Sequence, residues 1–216
     1  MNDTWRQIRP ATAILICASI MLTLSMGLRQ SLGLFMQPMT RDIALTVSEF
    51  TFAIAIQNLA WGLAQPFTGA LVVRAGYRAV MVAGGVLYVR GLVCLALADG
   101  VWVVTLGAGV LIGLALACNA SSIANAVASR AVPAGVRSTV LGLVSAAGSL
   151  GAMLAAPIGQ SLQTEFGWRM GVLGFVVVSL VLIPVGWIAG RVDRVPLPAR
   201  APCGVHEEDD ARRMAM

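Results

Sequence analysis

A chain of 216 residues in which 58% are hydrophobic and 12% are charged, with a mean hydropathy of +0.83, lacks the roughly 25% charge that covers an ordinary soluble domain. Its net charge is +5 and all 15 basic residues are arginine, spaced in ones and twos between apolar runs rather than gathered into the basic face that nucleic acid requires. With no lysine, and a single histidine, His206, in a polar tail, neither a Schiff base nor a buried imidazole base is on offer, so the chain reads as a lipid-facing protein and not an enzyme.

A bilayer core of ~30 Å takes about 20 apolar residues at ~1.5 Å each, and six stretches are long enough. None alternates with period two, so helices are expected, each closing its backbone hydrogen bonds internally. The first, 11–35, exceeds the ~7–15-residue apolar core of a signal peptide. Its last third holds Gly27-Leu28-Arg29-Gln30-Ser31. An arginine there costs up to ~3 kcal/mol on insertion scales, so Arg29 should face a cavity, a partner or the interface. Two readings stand: a guanidinium that takes a carboxylate through paired hydrogen bonds, with Gln30 beside it, or one that snorkels to the headgroups.

The second stretch, 48–72, places Gln57 and Asn58 near its centre. The third, 78–98, has Arg90 near its middle, about 13 Å along the axis from Asp99, its nearest acid, and the pattern offers no account of it. The fourth, 101–127, carries Asn119, Ser121, Ser122 and Asn125. Such groups serve either a ligand in a cavity or interhelical contacts; Gln57, Asn58 and Asn119, nearest mid-span, are the candidates for substrate. The fifth and sixth stretches run over 137–160 and 170–190. Asp42, Glu49, Asp99 and Glu165 all fall at helix ends, leaving no central carboxylate to relay protons.

From Arg191 the composition changes to prolines and the acidic run Glu207–Asp210, which reads as a disordered cytoplasmic tail. The expected organisation is therefore a short cytoplasmic segment (1–10), a membrane bundle (11–190) and a tail (191–216). Cys17, Cys94, Cys118 and Cys203 form no CxxC pair, so no metal site is expected. Without a GxxxxGK[ST] loop, neither nucleotide nor any other cofactor is expected. Arginines in alternate connections number eleven on one side and two, Arg41 and Arg169, on the other; the positive-inside bias puts both ends of the chain in the cytoplasm.

Shifting the sequence by 91 residues aligns Pro66 with Pro157, Gly76 with Gly167, Tyr77 with Trp168 and Arg78 with Arg169. Helix, proline, short loop, Gly-aromatic-Arg, helix thus occurs twice. Each copy holds three spans, an odd number, so the second enters the membrane from the opposite side. The expected fold class is an all-α membrane protein of six helices in two inverted three-helix repeats, an arrangement that places a substrate path near the midplane.

The segment GALVVRAGYRAV, Gly69 to Val80, resembles the loop between helices two and three of the major facilitator superfamily, Gly-x-Leu-x-Asp-Arg-x-Gly-x-Arg-Arg. Gly69, Leu71, Arg74, Gly76 and Arg78 match; Val73 stands for the Asp and Ala79 for the last Arg. GLRQSLGLFMQPMTRDI, NLAWGLAQPFTGAL and SRAVPAGVRSTVLGLVSAAGSLGAMLAAPIGQ are similar to bacterial members related to monocarboxylate porters and oxalate/formate antiporters. The resemblance implies the N-terminal six-helix half of a twelve-helix carrier in a bacterial-type inner membrane. It implies alternating-access transport of a small organic anion, with Gly69, Arg74, Gly76 and Arg78 in a gating loop. It further implies a second six-helix half, from a separate chain or a second copy. The rival expectation is a non-transporting remnant or an assembly subunit.

Overall fold

The structure, a computed structural model, describes residues 11–119 and 121–194; the segment 1–10 and the tail from 195, with Cys203 and His206, lie outside the described residues. All regular structure among those described is helical. It falls into four long apolar runs, Thr12–Asp42, Val47–Ala96, Val101–Ala131 and Arg137–Arg194, each able to cross a membrane by length and composition. The chain is an integral membrane protein, all-α in its described part.

The first run comprises α1 (Thr12–Ser31), a 3-10 turn (Leu32–Phe35) and α2 (Met36–Asp42). Pro38 explains the tightening: its ring would strike the Leu34 carbonyl in a continuous helix, whereas in the first turn of α2 its missing N–H is no loss. The second run is α3 (Val47–Ala96). It opens on a capping box in which the Glu49 N–H donates to Thr46 Oγ1 at 3.2 Å and the Thr46 N–H to Glu49 Oε2 at 2.8 Å; each satisfies an amide that a helix start leaves bare.

The 50 residues of α3, as one straight rod, would measure about 75 Å, more than two bilayer cores. Gly76 breaks it, with φ 82° and ψ 164°, a backbone conformation essentially reserved for glycine. The third run contains α4 (Val101–Val104), a π-helical segment (Thr105–Leu111), α5 (Ile112–Asn119) and α6 (Ser121–Ala131). After a 3-10 turn (Ala134–Val136), the last run holds α7 (Arg137–Ser179), α8 (Leu182–Ala189) and a closing 3-10 turn (Gly190–Arg194). Gly167 breaks α7 at φ 82° and ψ 166°, almost the angles of Gly76.

Three local features shape the connections. Across 69–80, α3 stays helical to Ala75 and leaves helical geometry at the single residue Gly76, which a glycine at positive φ does without extra chain. The connection between 160 and 170 contracts in the same way at Gly167. Gly190–Arg194 forms a 3-10 turn with Val192 fully buried.

Small residues set the packing. A Cβ on Gly27 of α1 would stand 2.6 Å from the Gly151 carbonyl oxygen of α7, and one on Gly148 3.0 Å from Leu22; the Thr23 hydroxyl donates to the Ala147 carbonyl at 2.8 Å along the same seam. On α5, Gly113 lies as close to α3, where a Cβ would meet the Gln57 carbonyl at 2.7 Å and Ala60 Cβ at 2.8 Å. Phe35 and Phe175 meet edge to face, centroids 5.4 Å apart. At the centre, Tyr88 is completely buried and donates to the Ser25 carbonyl at 3.2 Å. Leu63, Phe67, Trp102 and Val177 point outward. Arg90 is exposed too; it lies six residues before Ala96, about 9 Å along the axis, within snorkelling reach of the interface.

Candidate functional site

Arg29 sits near the end of α1, where α3 passes close by. Its Nη2 donates to Asn58 Oδ1 at 2.6 Å and its Nη1 to Gln30 Oε1 at 3.4 Å, while the guanidinium lies 5.1 Å from the Trp61 ring centroid. Asn58 is itself oriented, its Nδ2 donating to the Ile54 carbonyl one helical turn back at 2.9 Å; this leaves the amide oxygen to face the arginine. Asn58 and Trp61 are three residues apart and so share a helix face.

The hydrogen bonds and the ring contact of Arg29 are all to neutral groups. Both ion pairs among the described residues belong to Arg169, and Arg29 Nε is buried with no hydrogen-bond partner. A guanidinium remains charged under any physiological condition. The site therefore holds a fixed positive charge, half-shielded from water, with donors to spare. Beside it opens a cleft of about 250 Å³ between α1, α6 and α7, with Arg29, Gln30, Ser121, Ser145 and Ser149 among its lining residues. Chemically this is a place for a small anion: a cation to bind it bidentately and hydroxyls to fix its remaining oxygens.

Of the sequence candidates, the structure brings Arg29, Gln30 and Asn58 together. Gln57 faces the other way. It is 1% exposed, and its Nε2 donates to the Ala108 carbonyl at 2.7 Å, inside the π-helical segment where the regular helical ladder is disturbed. Asn119 is fully buried against Gly84 of α3, and both its amide atoms lack partners; it lines no part of the cleft. Trp61, Ser145 and Ser149 were not singled out from sequence, and the i, i+3 spacing of Asn58 and Trp61 is the signal that finds the first of them.

The Gly69–Arg78 segment lies at one end of the bundle. Gly69 and Arg74 stand on the last turns before the break, and Val73, in place of the usual Asp, is 87% exposed. The acid comes from elsewhere. Asp193 accepts the Tyr77 N–H on one oxygen (3.0 Å) and the Arg78 N–H on the other (3.1 Å), capping the helix that restarts after Gly76. Arg78 stacks over Trp187 at 4.5 Å.

The opposite end has a parallel construction. Trp168 Nε1 donates to Asp42 Oδ2 at 2.9 Å, and Arg169 Nη1 and Nη2 donate to the Ala96 and Ala98 carbonyls, each at 3.3 Å. Arg169 also pairs with Asp99 at 3.3 Å. Each Gly-aromatic-Arg turn thus docks on the far end of a helix from the other half of the sequence.

The Major Facilitator Superfamily pattern matches residues 15–204. The chain belongs to that superfamily. It is 32% identical to monocarboxylate transporter 11 of Mus musculus over 167 residues, 76% of this chain and 36% of that protein. To monocarboxylate transporter 3 of Mus musculus it is 30% identical over 154 residues, 69% and 30% of the two chains. To the MFS-type transporter eupM of Phoma sp it is 29% identical over 166 residues, 74% and 54%. The chain therefore spans about a third of the length of these monocarboxylate transporters. These relatives are named as transporters.

Proposed function

We propose that the chain supplies one six-helix half of a secondary transporter that carries a small monocarboxylate-like anion by alternating access. The observation that carries the reading is Arg29: a permanent cation in an apolar helix, with neutral neighbours and an open cleft beside it. Of the two sequence readings, snorkelling alone is the less favoured, since Arg29 is turned onto Asn58 and Trp61. The names of the relatives agree with the substrate class.

The breaks at Gly76 and Gly167 support dividing the four runs into six spans, and the near-identity of their angles supports two inverted triplets. Further support comes from the reciprocity of the contacts. Gly27 and Gly151 bring the first span against the fifth, and Gly113 and Gln57 bring the fourth against the second. In this arrangement the arginine-rich end, with Arg74 and Arg78, lies in the cytoplasm of a bacterial-type cell. The Gly76 junction is the cytoplasmic gate, and Asp193 supplies the acid that position 73 lacks. Gln57 keeps a supporting role, holding the π-helical segment on α3 through the Ala108 carbonyl. The cleft is completed by a second six-helix half.

The test is uptake of labelled lactate or pyruvate into proteoliposomes, with the chain alone and with any six-helix half encoded beside it. Saturable uptake that needs Arg29 is expected in at least one case. Binding and uptake absent in both would favour a remnant or an assembly subunit.

A further inference from the structure

At the end of the bundle that carries Gly76, a second cleft of about 350 Å³ opens, sharing no lining residue with the cleft at Arg29. Arg78, Ala79, Val82, Trp187, Asp193 and Arg194 line it. Gly190 makes it possible: a Cβ there would strike the Arg78 backbone, so the last run closes directly onto the restarting helix and fixes Arg78 at the lip. Asp193 makes no side-chain ion pair among the described residues; its oxygens accept the Tyr77 and Arg78 amides. Neither Arg78 nor Arg194 makes an ion pair among the described residues. Arg78 Nε is buried without a hydrogen-bond partner, and Trp187 covers only one face of the guanidinium, leaving its edge donors unspent.

Below this cationic rim the wall changes character. Ala79 and Val82 continue the helix beyond Arg78, and Trp187 is 54% exposed, an indole of the kind enriched at the headgroup level. A charged rim over an apolar wall on a lipid-facing surface fits an amphipathic anion. We propose that this cleft seats the phosphodiester headgroup of an anionic phospholipid, with Arg78 and Arg194 on the phosphate oxygens and an acyl chain along Ala79 and Val82. Free phosphate offers the same oxygens but leaves the apolar wall bare.

Native mass spectrometry of the detergent-purified full chain, supplied with equal phosphatidylglycerol and phosphatidylcholine, tests this. Wild type is expected to retain phosphatidylglycerol preferentially, and R194Q to lose about fivefold in that preference, the size of one arginine's contact with anionic lipid. R78Q/R194Q should lose it altogether, while R41Q/R137Q keeps it. Equal retention of the two lipids, or undiminished preference in R194Q, overturns the proposal. So does displacement of the lipid by millimolar glycerol phosphate, which assigns the cleft to a soluble anion. Should R78Q/R194Q fail to purify as a single species, the exposed Arg194 still decides through R194Q alone.

Discussion

Arg29 owes its position to two neighbours. Asn58 fixes one edge of the guanidinium and the Trp61 ring lies against its face, so its remaining donors are held in place before an anion arrives, and little side-chain entropy is left to lose on binding. A hydrogen bond to a charged group is worth about 1.5–3 kcal/mol, so Arg29→Ala is expected to weaken anion binding roughly ten- to hundredfold. Arg29→Lys, a point charge without the planar fork, should recover part of it. Asn58→Ala should raise the KM for uptake with a smaller change in kcat, because it disorders the arginine without removing its charge. Uptake by proteoliposomes at matched protein level reads all three, and unaltered transport by Arg29→Ala removes the arginine from the site. Gln57 and Asn58 show why the site was half legible. They are adjacent, equally polar and equally central, yet a helix turns ~100° per residue, and only packing decides which faces the cleft and which faces Ala108. Arg29 was legible because charge in an apolar helix is conspicuous wherever it points.

At the scale of the helix, the two breaks make a controlled pair. Gly76 and Gly167 share a φ of 82°, so an alanine at either is strained, by about 1–3 kcal/mol. Their surroundings differ: a Cβ at Gly76 would meet Asp193 Oδ2 at 2.9 Å, whereas at Gly167 nothing lies within 4 Å. Gly76→Ala is therefore expected to lower the melting temperature in detergent more than Gly167→Ala; the reverse order would dissociate Asp193 from the junction. Asp193→Ala should destabilise by about 0.5–2 kcal/mol, as loss of a helix cap does. The Gly-aromatic-Arg pairs were visible in the sequence as a repeat. The capping acid was not, because Asp193 lies within the stretch from Arg191 whose composition reads as unstructured, more than a hundred residues from the amides it caps. The lengths of the helices were misjudged for a related reason: hydropathy marks the part that lipid touches, while hydrogen bonding carries the helix on to its cap.

Across the whole molecule, composition was enough to specify a membrane bundle, since 12% charge leaves no other solvent for most of the surface. What it could not specify is which outward face meets lipid and which meets protein, because Leu63 and Phe67 read alike in either setting. The polar lining separates them. Ser145 and Ser149 are exposed on the same side as Arg29, and hydroxyls and a guanidinium facing hydrocarbon are unfavourable where a partner half would cover them. Under the proposed arrangement that face should draw a second six-helix bundle, either another copy or a separate chain. Analytical ultracentrifugation in mild detergent is expected to show the chain as a dimer, or as a 1:1 complex when the partner half is co-expressed. Ser145→Leu with Ser149→Leu should lower that association, because the added side chains fill the cleft that the partner is proposed to cover. A strictly monomeric species with every candidate half, unaffected by the two leucines, would mean that this face is open to lipid and that Arg29 serves only the interface.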